Sequence, residues 1–369
     1  MKKSLLKLLC CPQCKKEELA LKIFQQKTNR VVQGLLHCPS CEEVFPIIDE
    51  VPILISYDKL PKLTLKQKEI IKEFIKKYTF SDDKLTDYLK FISPSSSSVN
   101  ISKEEINEVK FWEKHYCEEN LANLDRMKEK KGGDRLYSRD KYIFSFLRRS
   151  ISKHGLVLEI GCGIPTTAKA LLNISNNEYI GTDLSFNILQ SAKKLIPLGN
   201  FFQCDAEALP FNKNSFDAII SLGVLHHTSR LEENIPSLFE VLKPGGYLAI
   251  HEPLEGKQNN YAWLSSLIKR FVSPKGIPPM EDKLEKTNTL NVIEKRGTII
   301  LCKEEYSPVR WILVNLFRKL MARNLLLTKV IVLIDDISIY LSRLPGFKCL
   351  NGAGAIIVSQ KFKNIKIIA

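Results

Sequence analysis

From residue 156 onward the chain alternates strand-like and helix-like segments, and this alternation limits the fold more than any other feature. Strand-like runs fall at 156–160, 178–182, 201–204, 216–221 and 247–251. The helices between them start near Pro165, Ser185 and Leu231. Ser185 is a residue that caps helix N-termini, and Pro165 suits a first helical turn. Strands separated by single helices predict a parallel α/β sheet with helices on its faces. The pattern lapses after Pro253. It resumes with a helix predicted over 283–294, a strand in TIILCKEEY, a long amphipathic stretch and a final strand in GAGAIIVSQK.

Two other zones precede this one. Residues 1–57 hold two CxxC pairs and short β-like runs ending in FPIIDEVPILI. Residues 58–153 are charged and mostly helical in pattern, as in KQKEIIKEFIKKY, and are broken by SPSSSS at Ser93–Ser98 and by RMKEKKGGDR at Arg126–Arg135. The expected division is a small ribbon domain at 1–57, a helical linker or lid at 58–153, and an α/β domain at 154–369 with a helical insertion at about 309–343. No internal repeat is evident.

Hydrophobic residues make up 44% of the 369 and charged residues 26%, which excludes wholesale disorder. The formal charge is +14, and the segment from Glu255 onward carries 19 basic against 9 acidic residues. Such a balance suits anionic small molecules, nucleic acid or a membrane surface, and equally a plain solvated face. No uncharged apolar run is long enough to span a bilayer. The greasiest stretch, 311–341, is interrupted by Arg318, Lys319, Arg323, Lys329, Asp335 and Asp336. It is expected to form an amphipathic cover over an acceptor pocket, with peripheral membrane contact as the alternative. The opening MKKSLLKLLC lacks the apolar length and small-residue cleavage site of a signal peptide, so a cytoplasmic protein is expected.

Cys11-Pro-Gln-Cys14 and Cys38-Pro-Ser-Cys41 are the metal candidates. Each CxxC turn aims two thiolates at one ion, and two such turns complete a closed tetrahedral site with no open position. That is the donor set of structural Zn2+, with an iron centre or free thiols as alternatives. So short a segment would depend on the metal for much of its folding free energy. LLKLLCCPQCKKEELAL, followed by LLHCPSCEEVFPIIDEVPILI, resembles the small bacterial zinc-ribbon family whose stand-alone relatives in eukaryotes and archaea activate methyltransferases. One departure is local: zinc knuckles often carry Gly after the second Cys, where Lys15 and Glu42 stand here.

In the third zone, Val157-Leu-Glu-Ile-Gly-Cys-Gly-Ile-Pro165 is an apolar strand running into a Gly-rich turn at the carboxyl end of the first strand, where open α/β sheets bind ligands. A dinucleotide fingerprint would need Gly at 166, where Thr166 stands. Glu159 would repel a pyrophosphate and suit an ammonium. Asp183 ends the second strand, placed for ribose hydroxyls, and Asp205 ends the third. Together with FDAIISLGVLHHT and LKPGGYLAI, these segments resemble the class I S-adenosylmethionine-dependent methyltransferases, in particular the type 11 group that includes ubiquinone and menaquinone methyltransferase-like enzymes. The resemblance implies a Rossmann-like seven-stranded sheet that binds S-adenosyl-L-methionine. It assigns Glu159, Gly161 and Gly163 to the methionine-side loop, Asp183 to the ribose, Asp205 and Ala206 to the adenine, and Ser221 with Leu222 to the methionine end. The family often has a third Gly where Pro165 stands.

No catalytic residue is fixed by the sequence. His226 and His227, just past the fourth strand, are candidates for a general base, with a packed, structural role as the alternative; His251 and Glu252 are weaker ones. Trp112 and Tyr116 could cap the cofactor from a leading helix. The main expectation is methyl transfer to a small molecule. The alternatives are an RNA methyltransferase that grips RNA with its ribbon and basic C-terminal part, and a cofactor-binding scaffold or activator without turnover. RNA binding would show as basic residues interleaved with aromatics on one face. The sequence shows only scattered cases, such as Phe317-Arg318-Lys319. The acceptor and the oligomeric state are not legible.

Overall fold

A computed structural model describes residues 1–63, 65–78, 154–163, 177–228, 231–255, 284–305, 325–341 and 354–363, with a few isolated positions between them. Ser93–Ser98, the 126–135 segment, Trp112, Tyr116 and most of 306–324 lie outside the described residues. The chain divides into two compact units, one of residues 1–126 with 153–216, the other of residues 127–152 with 217–369.

The first unit starts with β1 (Ala20–Lys27), β2 (Arg30–His37), β3 (Val44–Ile48) and β4 (Val51–Leu54). These four pair in order as an antiparallel meander. Then come α1 (Leu65–Tyr78), β5 (Leu156–Ile160), β6 (Glu178–Asp183), α2 (Phe186–Leu195) and β7 (Asn200–Cys204). β5 and β7 flank β6 in parallel register, as the alternation predicts. Ser185 caps α2, its Oγ accepting from the Ile188 N–H at 3.4 Å.

The sequence did not announce how the ribbon meets this sheet. β4 lies parallel to β7, with Ile53 beside Gln203 and Leu54 beside Cys204. The meander therefore extends the α/β sheet, in the order β1-β2-β3-β4-β7-β6-β5. Every residue of β3, β4 and β7 is buried, as expected for strands covered on both sides. Ile53, Ile55, Leu60, Ile71 and Ile75 share one core with Tyr179, Phe186, Leu189 and Phe201. A charged seam fastens the outside. Lys2 pairs with Glu178 at 2.7 Å, Lys193 with Glu50 at 2.9 Å, and Arg30 reaches Glu50 and, at 3.1 Å, the Gly199 carbonyl.

The second unit contains β8 (Phe216–Leu222), α3 (Leu231–Val241), β9 (Leu242–Glu255), β10 (Leu284–Glu285), α4 (Lys286–Glu294), β11 (Gly297–Glu305), α5 (Leu325–Leu341) and β12 (Gly354–Lys361). Its strand order is β8-β9-β12-β11, with β12 antiparallel to both neighbours and β10 beside β9. Asp217 at the start of β8 pairs with Lys243 at 2.8 Å, a structural role.

In α5, the stretch expected to cover an acceptor pocket, Leu326, Val330, Leu333 and Ile337 form an exposed apolar stripe, Leu326 by 70% and Leu333 by 58%. Ile331, on the neighbouring stripe, is buried. The helix carries apolar residues on more than one face, so helical spacing alone does not say which stripe packs. Among the described residues no helix is long and apolar enough to cross a membrane.

Candidate functional site

The four cysteine sulfurs of the ribbon all lie within 4.8 Å of one another. Cys11 stands 3.5 Å from Cys41, and Cys14 3.5 Å from Cys38. A tetrahedral ion with 2.3 Å bonds to sulfur separates its ligands by about 3.8 Å, so the donor set and its spacing fit zinc. The two knuckles are built alike. The Lys15 N–H bonds to the Cys11 carbonyl and the Glu42 N–H to that of Cys38, both at 2.9 Å. Lys15 and Glu42 take φ of 60° and 64°, the left-handed turn that Gly often provides. Burial raises the Cys41 thiol, and a metal bound by the four sulfurs would take it as the thiolate.

The first knuckle also grips the loop that follows β7. The Cys10 N–H bonds to the Pro210 carbonyl at 3.0 Å, the Asn212 N–H to that of Leu8 at 2.8 Å, and Lys15 Nζ to that of Leu209 at 3.2 Å.

In the first unit, the predicted cofactor residues gather at the carboxyl ends of β5, β6 and β7. Gly161 and Gly163 have φ of 58° and 49°, so the turn after β5 uses the freedom that only glycine has cheaply. The Gly163 N–H donates to Asp183 Oδ2 at 3.0 Å, and the Ser185 N–H to Oδ1 at 2.9 Å. The ribose candidate thus ties the Gly-rich turn to the start of α2. Glu159 is buried and accepts from the Tyr179 hydroxyl. Burial and the nearby Glu159 charge push that phenol well above its usual range, so it stays a donor. Cys162 and Cys204 are buried, and burial raises both thiols, in keeping with packing roles. Asp205 opens the short 3-10 turn Ala206–Ala208, its Oδ1 accepting from the Glu207 N–H at 2.9 Å.

The second unit holds Ser221, Leu222, His226 and His227. Ser221 is buried and Leu222 half-buried at the end of β8. The loop after it is organised by Glu252, a buried carboxylate of β9. Glu252 Oε1 accepts from the Val224 and Leu225 N–H groups, both at 3.0 Å. Oε2 accepts from the His226 N–H at 3.4 Å and lies 2.7 Å from His226 Nδ1. The His227 ring packs on His226 with centroids 3.8 Å apart. A carboxylate on Nδ1 fixes the ring orientation and leaves Nε2 as the proton-accepting atom.

Residues 158–250 match the family described as "Methyltransferase domain", and residues 2–50 the family described as "Trm112p-like protein". The chain carries a methyltransferase domain behind a Trm112p-like domain. Its fold is the mixed α/β sheet of class I S-adenosylmethionine-dependent methyltransferases. The Mus musculus protein named "Probable tRNA methyltransferase 9B" is 39% identical over 129 residues, 32% of this chain and 28% of that protein. The sterol 24-C-methyltransferase of Saccharomyces cerevisiae is 29% identical over 113 residues, 28% of this chain and 29% of that enzyme. The aligned stretches thus span under a third of these relatives. A solved complex containing the Haloferax volcanii Trm112 methyltransferase activator is 15% identical, with a TM-score of 0.41, and covers 66% of this chain and 98% of that one.

Sequence reading missed Tyr179, Lys59 and the buried pair Gln67–Gln203. No local signal marks them, because each acts on a residue brought to it by sheet pairing or by a distant loop.

Proposed function

We propose that this chain is an S-adenosylmethionine-dependent methyltransferase acting on RNA, with a structural zinc ribbon fused to its cofactor-binding half. The observation that carries the RNA reading lies on β1 and α1. Phe24 and Tyr78 stack with ring centroids 4.6 Å apart and planes 8° from parallel. Lys22 Nζ stands 5.9 Å over the Phe24 ring and Lys77 Nζ 5.3 Å over that of Tyr78. Lys66, Lys72 and Lys76 are exposed along the same helix. Both rings are half-buried at the margin of the core beside Phe74, and the cations that flank them suit the bases and phosphates of an unpaired strand. The pattern is invisible in sequence because its halves are some fifty positions apart. The tRNA methyltransferase name of one relative points the same way. The expected small-molecule acceptor is the competing reading, in line with the sterol methyltransferase likeness.

Glu159, Asp183, Asp205, Ala206 and the turn at Gly161–Gly163, all of the first unit, would hold the cofactor. When bound, the cofactor supplies an electrophilic methyl group on sulfur. The chain's part is to hold the acceptor in line and exclude water. His226, oriented by Glu252, would take a proton at Nε2 from a hydroxyl or amine acceptor. Cys11, Cys14, Cys38 and Cys41 would hold zinc outside the chemistry.

The test supplies labelled S-adenosylmethionine with host RNA and, separately, a low-molecular-weight extract. Label in RNA is expected, with RNA affinity that falls steeply with salt. Tyr78→Ala should weaken RNA binding by about 1–3 kcal/mol, the scale of one stacked base. Label confined to small molecules, with no RNA binding, would return the assignment to the competing reading.

A further inference from the structure

β4 and β7 run parallel and in register, so whatever follows β4 emerges on the same rim as whatever follows β7. The residues after β7 are Asp205, Ala206 and Glu207, the adenine end of the proposed pocket. Those after β4 are Ile55, Ser56 and the short 3-10 helix Tyr57–Lys62. Fusion of the ribbon therefore delivers a segment to the cofactor rim that the α/β domain alone does not possess. One side chain of that segment reaches across. Lys59 Nζ lies 3.2 Å from Glu207 Oε2 and 3.8 Å from Asp205 Oδ2. The Lys59 side chain is only a quarter exposed, and both carboxylates are more buried still.

Resting on the cofactor assignment above, we infer that Lys59 is a positioning residue that sets the base preference of the cofactor pocket, by holding the Asp205 carboxylate in place as an acceptor for a 6-amino group. Asp205 Oδ1 is taken by the Glu207 N–H at 2.9 Å, and Oδ2 faces the lysine. With a partner on each oxygen, the carboxylate does not rotate freely. The ammonium also offsets the repulsion between Asp205 and Glu207, two residues apart on one turn. An ionised carboxylate accepts only, so it welcomes the 6-amino group of adenine and repels the 6-keto oxygen of hypoxanthine. Without Lys59, Asp205 Oδ2 loses this cationic neighbour and the carboxylate can turn away from the 6-amino group, so the distinction between the two bases weakens. A second contact from the same N-terminal region stiffens the rim. Buried Gln67 of α1 donates to Gln203 Oε1 at 2.6 Å, and Gln203 Nε2 donates to the Leu184 carbonyl at 2.7 Å, next to Asp183.

The experiment is calorimetric binding of S-adenosylhomocysteine and its 6-keto counterpart S-inosylhomocysteine to the full chain. The wild type is expected to prefer the 6-amino ligand at least tenfold. Lys59→Met should lower affinity for S-adenosylhomocysteine about tenfold and cut the preference below threefold, while Lys59→Arg restores both. General loosening of the fold would weaken both ligands alike and leave the preference unchanged, and that result overturns the inference. A wild type that binds neither ligand would overturn the cofactor assignment itself, and the inference with it. Should Lys59→Met fail to fold, Lys59→Gln, which keeps reach and polarity without charge, carries the same comparison.

Discussion

Asp205 and Glu252 each hold a functional loop, and they do so at opposite ranges. Glu252 is a local organiser. Among the described residues its side-chain partners, the N–H groups of Val224, Leu225 and His226 and the His226 ring, lie in one loop that precedes it by 26 to 28 residues. Asp205 is fixed on one side by its own turn and on the other by Lys59, contributed by the segment behind the ribbon. Its loop continues to Leu209, Pro210 and Asn212, each bonded to the first cysteine knuckle or its flank. The candidate base is thus oriented within its own unit by neighbouring strands. The 205–212 loop is held by residues of the ribbon almost two hundred positions away, so under the proposed reading metal loading and cofactor binding would be mechanically connected.

The strongest way to break this comparison is to remove the zinc ligand set. Cys38→Ser, or exhaustive chelation, is expected to abolish tight metal retention. It removes much of the roughly 10–16 kcal/mol that such sites couple to folding. If the ribbon braces the adenine loop, hydrogen exchange should accelerate at Leu209–Asn212 as well as at the knuckles, and S-adenosylmethionine affinity should fall. The Gly223–His227 loop should keep its protection. Metal-free protein with unchanged exchange in the 205–212 loop would show that the knuckle contacts carry no mechanical load.

Glu252→Ala is the local counterpart. It strands three backbone N–H groups and the His226 ring around a buried void, and removing one partner of such a buried charged network destabilises by about 3–5 kcal/mol. Denaturant unfolding measures the loss. The comparison predicts a loss of methyl transfer with S-adenosylmethionine affinity retained under conditions where the variant remains folded. Equal loss of cofactor binding would mean that the two loops are not independently held.

What could be read from sequence follows the same division of range. The strands at 156–160, 178–182, 201–204 and 216–221 and the cap at Ser185 rest on local patterning, and the structure places elements there with boundaries within a residue. The four cysteines were legible because ligand spacing is itself local. The β4–β7 pairing, Lys59 at Asp205 and the Phe24–Tyr78 stack were not, since nothing in a window of ten or twenty residues encodes which edge strand meets which. In α5 helical spacing alone does not say which of two adjacent apolar stripes packs, and tertiary packing buries Ile331 while it leaves Leu326 and Leu333 exposed.

The smallest effect sharpens the comparison inside the ribbon. Lys15 and Glu42 occupy equivalent left-handed turn positions, and a side chain there carries about 1–2 kcal/mol of steric strain that glycine avoids. Glycine gives back part of that gain through its more flexible unfolded state. Glu42→Gly should therefore stabilise the zinc-loaded protein by about 1 kcal/mol or slightly less. Lys15→Gly relieves the same strain and also deletes the 3.2 Å bond from Nζ to the Leu209 carbonyl, worth about 1–2 kcal/mol. Its net effect on unfolding should sit near zero or below. If the long-range brace is real, Lys15→Gly should weaken cofactor binding while Glu42→Gly leaves it unchanged. Paired thermal melts and titrations with S-adenosylhomocysteine read both. Equal behaviour of the two variants would place Lys15 with the knuckle alone and remove it from the bracing of the adenine loop.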